Sequence, residues 1–494
     1  MQNSVLDVYP KMAYANWRIH NFVFYPENFS FHVVGISTSM LDLFHPTRKN
    51  QAGSEQQNGI RFDMPWPQML CAATLAGFAM AAPAQSLSDV VNQALQTYPA
   101  ILSSAAKTQA SRSEIGRARS AHYPQFGMVA GTNSTSSGTL PSTTQKTSLS
   151  PTARLNLWSG GKIEAEAERA EALTRSSEST QSGTLDEIAQ KAAEAYLNWA
   201  RATDLHALAI KNVNSHRLTL DDLEKITQID KGRRVDYEQA LVRMENAHLA
   251  LQQRKAELEQ ARQVVRRFWT GPLKDAPADL SDAVSDTGLL GRIPATLPVA
   301  LDMVTDDLPS IAQYVAQVQA AQASVKLAKG QFWPTVDLTV SKQLNAATLR
   351  QDTFTQLQLN APLYNGGANT AGLDGALSQV NAAQFALDEA RILAREKTAL
   401  AWQDWDSARQ RANTGALQSD VGERLVESYR QQFRVARRSL LDLLNIQTES
   451  FGYRSAALSA FHEERLARVR LLAATGDLAH RFAFAPGQLS EPAR

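Results

Sequence analysis

The sequence states one plan twice. Tyr98-Pro99 is echoed by Leu308-Pro309, and Tyr123-Pro124 by Trp333-Pro334, both 210 positions apart (309 − 99 and 334 − 124). Leu157-Trp158-Ser159-Gly160-Gly161 is echoed by Leu363-Tyr364-Asn365-Gly366-Gly367, 206 apart (366 − 160). Punctuating residues that recur at a fixed offset mark a duplicated structural unit. The four-residue difference predicts a first hairpin longer than the second, with the extra residues in its outer loop. Whatever one half builds, the other must build as well.

Proline spacing shows what the halves contain. No proline lies between Pro151 and Pro272, or between Pro362 and Pro486, and both tracts are rich in Ala, Glu, Gln, Arg and Leu. Such tracts favour long helices. Leu185, Ile188, Ala192, Tyr196 and Trp199 recur at the spacing of a single buried stripe, as do Leu373, Leu377, Val380 and Phe385. A helix from Lys162 to Ile229 would be about 100 Å long at ~1.5 Å per residue, which implies a coiled-coil rod. A turn at Asp230-Lys231-Gly232 would lead into a partner helix reaching Trp269. The second half repeats this from Asn369 to Arg430, with a turn near Arg434–Arg437 and a helix to Thr475. Aromatics are only 7% of the residues and much of the 44% apolar fraction is alanine, as suits thin, closely packed helices.

Between the prolines and the paired glycines the period changes to two. Val336, Leu338 and Val340 alternate with Asp337, Thr339 and Ser341, and Leu357, Leu359, Ala361 and Leu363 with Gln358, Asn360 and Pro362. In the first half Ala153, Leu155 and Leu157 alternate with Arg154 and Asn156. Strict alternation with one polar face describes a strand between lipid and water. Two hairpins result, with Gly131–Ser148 and Asn345–Asp352 as their external loops. Tyr123, Trp158, Trp333 and Tyr364 fall at the four strand–helix junctions, where a membrane interface favours aromatics. The bland alternative is a pair of soluble hairpins with core aromatics. Four strands cannot close a barrel, and open edges in lipid are prohibitive, so membrane strands require several copies of the chain.

Residues 64–84 read as a signal peptide, an apolar run ending in Ala82-Pro83-Ala84 before Gln85. Residues 1–63 match nothing in the repeat and are either a disordered leader or upstream of the true start. Cys71, the single cysteine, lies in the signal segment, so the mature chain would hold no disulfide or thiolate chemistry. The first repeat is expected over 85–295 (hairpin 121–158, helical hairpin 162–269, linker 270–295). The second is expected over 296–481 (hairpin 332–364, helical hairpin 367–476), before a tail, 482–494. No later segment has the ~18 apolar residues of a membrane helix. Fifty basic residues against 49 acidic leave no field to attract nucleic acid.

The order helix, hairpin, long helical hairpin, repeated after a signal peptide, resembles the TolC family of outer-membrane channels over residues 85 to 480. The motifs that carry the likeness are Pro-Leu-Tyr-Asn-Gly-Gly at Pro362–Gly367 and Arg-Arg-Ser-Leu-Leu-Asp-Leu-Leu at Arg437–Leu444. The resemblance implies a mainly α chain with membrane strands and a homotrimer in the outer-membrane lipid of a Gram-negative cell. Its twelve strands would form one barrel, continued by a helical tunnel across the periplasm. It also implies a periplasmic adaptor protein and an inner-membrane ABC transporter or proton-driven pump as partners. The turns Asp230, Lys231 and Gly232, and Val435, Ala436 and Arg437, would then meet the adaptor at the periplasmic end. Phe433, Arg438 and Asp442 match the family's aperture positions, and Glu238 the acidic position of the other hairpin. An Arg438–Glu238 pair would latch the tunnel and a ring of Asp442 carboxylates would line its mouth. Without the resemblance these are ordinary solvated helix charges. Ala436 departs from the family's usual glycine, and Asn445 from an acidic residue of some members.

Chemical motifs are lacking: there is no phosphate-binding loop and no His-Glu-x-x-His. His206, His216 and His248 read as solvated helix residues, and Asp221-Asp222 with Glu224 as a charged helix end. These features point to no enzyme, cofactor or metal. The reading is an export duct of type I protein secretion, adhesins included, or alternatively the outer component of drug or metal efflux. A periplasmic coiled-coil scaffold remains as the alternative of another class.

Overall fold

The structure, a computed structural model, describes residues 86–136, 143–278, 288, 290–291, 293–345, 351–476 and 478–482. The leader, the signal segment with Cys71, part of the linker, both hairpin tips and residues 483–494 lie outside the described residues.

Helices α1 (Leu87–Thr97) and α2 (Pro99–Arg119) lead into strands β1 (Gln125–Ser136) and β2 (Thr143–Trp158). The long helix α3 (Lys162–Ile229) and its partner α4 (Arg234–Val265) complete the first half. The second half runs α5 (Leu297–Asp302), α6 (Pro309–Gly330), β3 (Thr335–Asn345), β4 (Gln351–Asn360), α7 (Ala368–Arg434) and α8 (Leu440–Ala474), with a short α9 (Leu478–Arg481). At 68 and 67 residues, α3 and α7 are each about 100 Å long.

The repeated punctuation has a physical purpose at each position. Pro99 and Pro309 open α2 and α6, where the missing N–H costs nothing. The glycine pairs occupy the left-handed region at φ 66° and 80° in one half and 67° and 84° in the other. They turn the chain from strand into long helix, a conformation that only glycine adopts cheaply.

The four strands form one antiparallel sheet in the order β1-β2-β3-β4. Gln125 pairs with Arg154, and Thr335 with Asn360; the first pair becomes the second on adding 210 and 206. The two hairpins therefore share one register. The extra four residues are not in the loop, as the sequence suggested: six positions separate the last rungs in both hairpins (137–142 and 345–350). Instead the first ladder is two rungs longer, by Thr135↔Thr144 and Ser136↔Thr143. Much of Gly131–Ser148, expected as loop, is strand, since its threonines suit a pleated backbone.

Register also sorts the two faces. Phe126, Met128 and Ala130 lie across from Ala153, Pro151 and Leu149; Leu155 lies across from Leu338, and Val336 from Leu359. Because cross-strand partners share a face, these make one apolar surface, with Arg154, Asn156, Asp337, Thr339 and Gln358 on the other. The strands are 10 to 16 residues long, at or above the roughly 9–11 that span a bilayer. None of the described helices is long and apolar enough to cross a membrane.

The main core lies midway along α3. Leu185, Ile188, Ala192, Tyr196 and Trp199 are all buried there against α1, the end of α4 and α8. The stripe expected on α7 behaves differently: Leu377 is 45% exposed and Phe385 73%. The buried positions in this part of α7 are Ala376, Leu387 and Ala394. The periodicity was real, but the single chain covers the stripe only in part, with Leu373 and Val380 half-buried.

Candidate functional site

Four helix ends meet at the turns. Leu220 and Leu223 of α3, Ala240 of α4, Phe433 of α7 and Leu440, Leu443 and Leu444 of α8 form one buried cluster. The two turns, about 200 residues apart in sequence, are thereby packed together. Phe433, expected at the aperture, is only 8% exposed and belongs to this core. There it packs the two turns against each other.

In the first turn the Asp230 side chain accepts from the Gly232 N–H at 2.9 Å. Gly232 is not among the residues with positive φ. The second turn inverts the expected chemistry: Ala436 sits at φ 56°, the one non-glycine in the left-handed region among the described residues. Its N–H donates to the Phe433 carbonyl at 3.0 Å and the Arg437 N–H to the Gln432 carbonyl at 2.8 Å, closing α7. A Cβ in this region costs about 1–2 kcal/mol. Ala436→Gly is therefore expected to stabilise the protein by about 1 kcal/mol, seen as a higher urea midpoint. An unchanged or lower midpoint would show that the strain is not there.

Most of the charged residues around the turns are paired with close neighbours in sequence. Glu238 accepts from Arg234 at 3.3 Å, and Arg233 pairs with Asp236 at 3.0 Å. Arg438 lies with its guanidinium 4.4 Å from the Tyr429 ring, donates to Gln432 at 3.2 Å and stands 3.9 Å from Asp442. Asp442 in turn sits in the first turn of α8, where the Ser439 hydroxyl caps its N–H at 3.2 Å and the helix dipole favours a carboxylate. The expected Glu238–Arg438 latch is not among the ion pairs of the described residues; each partner is held by a neighbour four positions away. What links the hairpins across the turn region is Arg434 with Asp222 at 3.5 Å and Arg243 with Asn445 at 3.5 Å. Lys231, Val435 and Arg437 are exposed on the two turns.

Above the turns the interior becomes polar. Arg430 and Gln447 converge on Ser215, and Gln447 also donates to Thr219 at 3.0 Å. His216 beside them is 4% exposed, and its Nδ1 has no hydrogen-bond partner. The solvated reading of this histidine is thus corrected, whereas His248 is exposed and His206 half-buried. Burial, reinforced by the nearby Arg243 charge, holds the His216 pKa below the ordinary 6.5. The folded state favours the neutral ring, so its contribution is full above pH 6.5 and is lost as pH falls towards the folded pKa. Thermal stability should decline from pH 7 to pH 5 more steeply than in His216→Leu; parallel profiles would remove the residue from that role.

One buried histidine escaped sequence reading. His462 on α8 is 1% exposed and its Nε2 lies 2.7 Å from Asp204 on α3. The two are 258 positions apart, and no local pattern signals such a pair.

At the sheet, Trp158 and Trp333 meet edge to face at 6.3 Å. Tyr123 and Tyr364, beside the two outer strands, are 67% and 87% exposed. On the polar face the Asp337 carboxylate, almost buried, accepts from Arg154 at 3.0 Å and Asn156 at 2.9 Å, clamping β2 to β3. Alternation placed these three residues on the polar face; only the strand register joined them. Among the described residues no His, Cys, Asp and Glu cluster could hold a metal.

Comparison with known proteins is consistent with this arrangement. The outer membrane efflux protein family profile matches residues 90–271 and 301–477, once in each repeat. The chain is 23% identical over 83% of its length to the outer membrane efflux protein BepC of Brucella suis, covering 88% of that protein. It is 25% identical over 50% of its length to the cobalt-zinc-cadmium resistance protein CzcC of Cupriavidus metallidurans, covering 57% of it. Among solved structures, CusC superposes with a TM-score of 0.71 at 19% identity, covering 85% of this chain and 98% of that one. The open-state MtrE outer membrane channel of Neisseria gonorrhoeae superposes with a TM-score of 0.67 at 19% identity, covering 79% and 89%.

Proposed function

Because the chain belongs to the outer membrane efflux protein family, we propose that it is the exit duct of a tripartite export system. Three copies would close one twelve-stranded barrel in the outer membrane, and the helical hairpins would continue the lumen through the periplasm. The observation that carries this reading is the sheet: one apolar face, one polar face and two unpaired edges, set on rods of about 100 Å. A periplasmic scaffold would have no use for an apolar sheet face. The exposed turns at Lys231 and Arg437 are the surfaces offered to a periplasmic adaptor, with an ABC transporter or proton-driven pump beyond it.

Heat-resistant trimers in the outer-membrane fraction that conduct in planar bilayers are the expected result. A monomer confined to the soluble periplasm would remove the duct and restore the scaffold. Within this class, the stretch Arg437–Leu444 resembles members that serve type I protein secretion, and this is the substrate class proposed, large adhesins included. Relatives named for antibiotic and toluene efflux and for cobalt-zinc-cadmium resistance support the second reading. Deleting the gene separates them: loss of a large secreted protein marks secretion, whereas raised sensitivity to drugs or metals marks efflux.

Arg438 and Asp442 are proposed as the electrostatic part of the aperture, each copy adding one carboxylate to a ring that the arginine partly neutralises. Arg438→Ala should raise single-channel conductance to cations while costing less than about 1 kcal/mol of stability, since the pair is exposed. Unchanged conductance would exclude Arg438 from the gate.

A further inference from the structure

His216 is buried in a layer that has no counter-charge to offer it. We infer that this layer is an acid-sensitive release: mild acid charges the His216 ring, parts the two helical hairpins and opens the lower end of the duct. Its consequence for conduction rests on the duct reading above, whereas the release itself belongs to the single chain.

The layer lies where the hairpins touch. His216 stands on α3 between Ser215 and Thr219. Arg430 of α7 donates to the Ser215 hydroxyl at 3.0 Å, and Gln447 of α8 donates to Ser215 at 3.4 Å and to Thr219 at 3.0 Å. Arg243 of α4 donates to Asn445 of α8 at 3.5 Å. Leu220, next to Thr219, and Leu444, three positions before Gln447, already belong to the apolar cluster that joins the turns. Whatever separates this layer therefore loosens the turns as well.

In each of these bonds the acceptor is neutral, a hydroxyl or an amide, while two of the donors are guanidinium groups. The surrounding charges do not redress the balance. On α4, Arg243 acts on the ring, and Glu245 and His248 are exposed. On α7, Arg430 has Glu427 at 3.8 Å on its own helix, and Glu423 is taken by Arg454 of α8 at 3.3 Å. On α8, Glu449 is exposed; on α3, Lys211, Arg217 and Asp221 are exposed, and Asp222 is paired with Arg434. None of these carboxylates is buried. An imidazolium at His216 would thus be a third cation in the layer, and an unpaired buried charge is strongly destabilising.

The ring's own contacts point the same way. His216 is 4% exposed and its Nδ1 has no hydrogen-bond partner. Protonation would put an N–H there with no acceptor, adding to the cost of desolvation. Once the hairpins part, water reaches the ring and it charges in the ordinary histidine range. Acid therefore favours the parted form, because that form binds the proton more readily. The closed form is fully favoured above pH 6.5 and loses ground as the pH falls towards the lowered pKa of the buried ring.

The test compares the full-length protein with His216→Asn and Arg243→Met from pH 7 to pH 5. Amide exchange, corrected for the intrinsic rate at each pH, should quicken several-fold more at residues 211–223 and 426–447 than around Trp199 in the wild type. Openings in planar bilayers should become more frequent over the same range. His216→Asn should hold both readouts flat. Arg243→Met removes a charge that disfavours the imidazolium, so it should move the response to higher pH. A response that persists in His216→Asn, or is absent from the wild type, overturns the release. An unmoved response in Arg243→Met overturns it too, even where His216→Asn does not fold. Exchange that responds while bilayers stay silent at every pH supports the release and overturns the duct reading.

Discussion

Gly160→Ala is expected to cost roughly 2–5 kcal/mol, adding the left-handed backbone penalty to the overpacking of a crowded site. The added Cβ would fall 2.4 Å from the Trp333 Cβ, with the Gly330 carbonyl at 3.3 Å on the other side. Neither neighbour can yield easily. Trp333 is already fixed by its edge-to-face contact with Trp158, and Gly330 ends α6 where its own Cβ position is closed by Lys162. The junction packs the β2-to-α3 turn of the first half against the α6-to-β3 turn of the second, so the damage should appear as a large fall in the detergent melting temperature of the single chain. Gly366→Ala separates the two contributions. Its φ of 67° imposes the same backbone penalty, about 1–2 kcal/mol, without any clash inside the chain. Equal melting temperatures for the two variants before assembly would show that the crowding at Gly160 is relieved by movement.

Phe433→Ala is the second large effect, about 3–5 kcal/mol by the usual cost of emptying a buried aromatic site. Phe433 packs with Leu223, Leu443 and Leu444 in the cluster that ties the two helical turns together. Because a rod this long need not unfold as one unit, the loss should be local. Amide exchange is expected to accelerate in residues 220–244 and 429–446 and to stay unchanged around Trp199, which sits in a separate core. Conductance should rise with it, since loosened turns no longer hold the aperture. Exchange that quickens everywhere would mean instead that the rod melts cooperatively and that the turns are no weaker than its middle.

Much of this architecture is visible in the order of residues. Proline-free tracts bounded by Pro151 and Pro272, and by Pro362 and Pro486, correspond to the two helical hairpins, because proline is the strongest local bar to a helix. Glycine pairs mark the strand-to-helix turns because only glycine enters that backbone region cheaply. Alternation over Val336–Ser341 and at Leu357 and Leu359 marks strands because the pleat repeats every two residues, although its continuation to Ala361 and Leu363 runs past the end of β4 at Asn360. Less could be read of the site. Glu238 and Arg438 were legible as charges at equivalent turns, yet their partners are Arg234 and the group Tyr429, Gln432 and Asp442. Phe433 was recognised as an aromatic at the right place, but its burial depends on residues of α3 and α4 about 200 positions away.

The sequence by itself determined the local conformations and the twofold plan, since these follow from backbone sterics and from periods that any window of the chain displays. It also determined that the sheet would have two unlike faces. Tertiary structure alone decided which apolar stripes the chain covers for itself. Tyr196 and Trp199 are buried with α1 and α8, while Leu377 and Phe385 of an equally periodic helix stay exposed. It alone decided that His462 would meet Asp204 and that Asp337 would gather Arg154 and Asn156. The reason is common to all of these: periodicity states that a face must be buried, and only the packing of distant segments states against what.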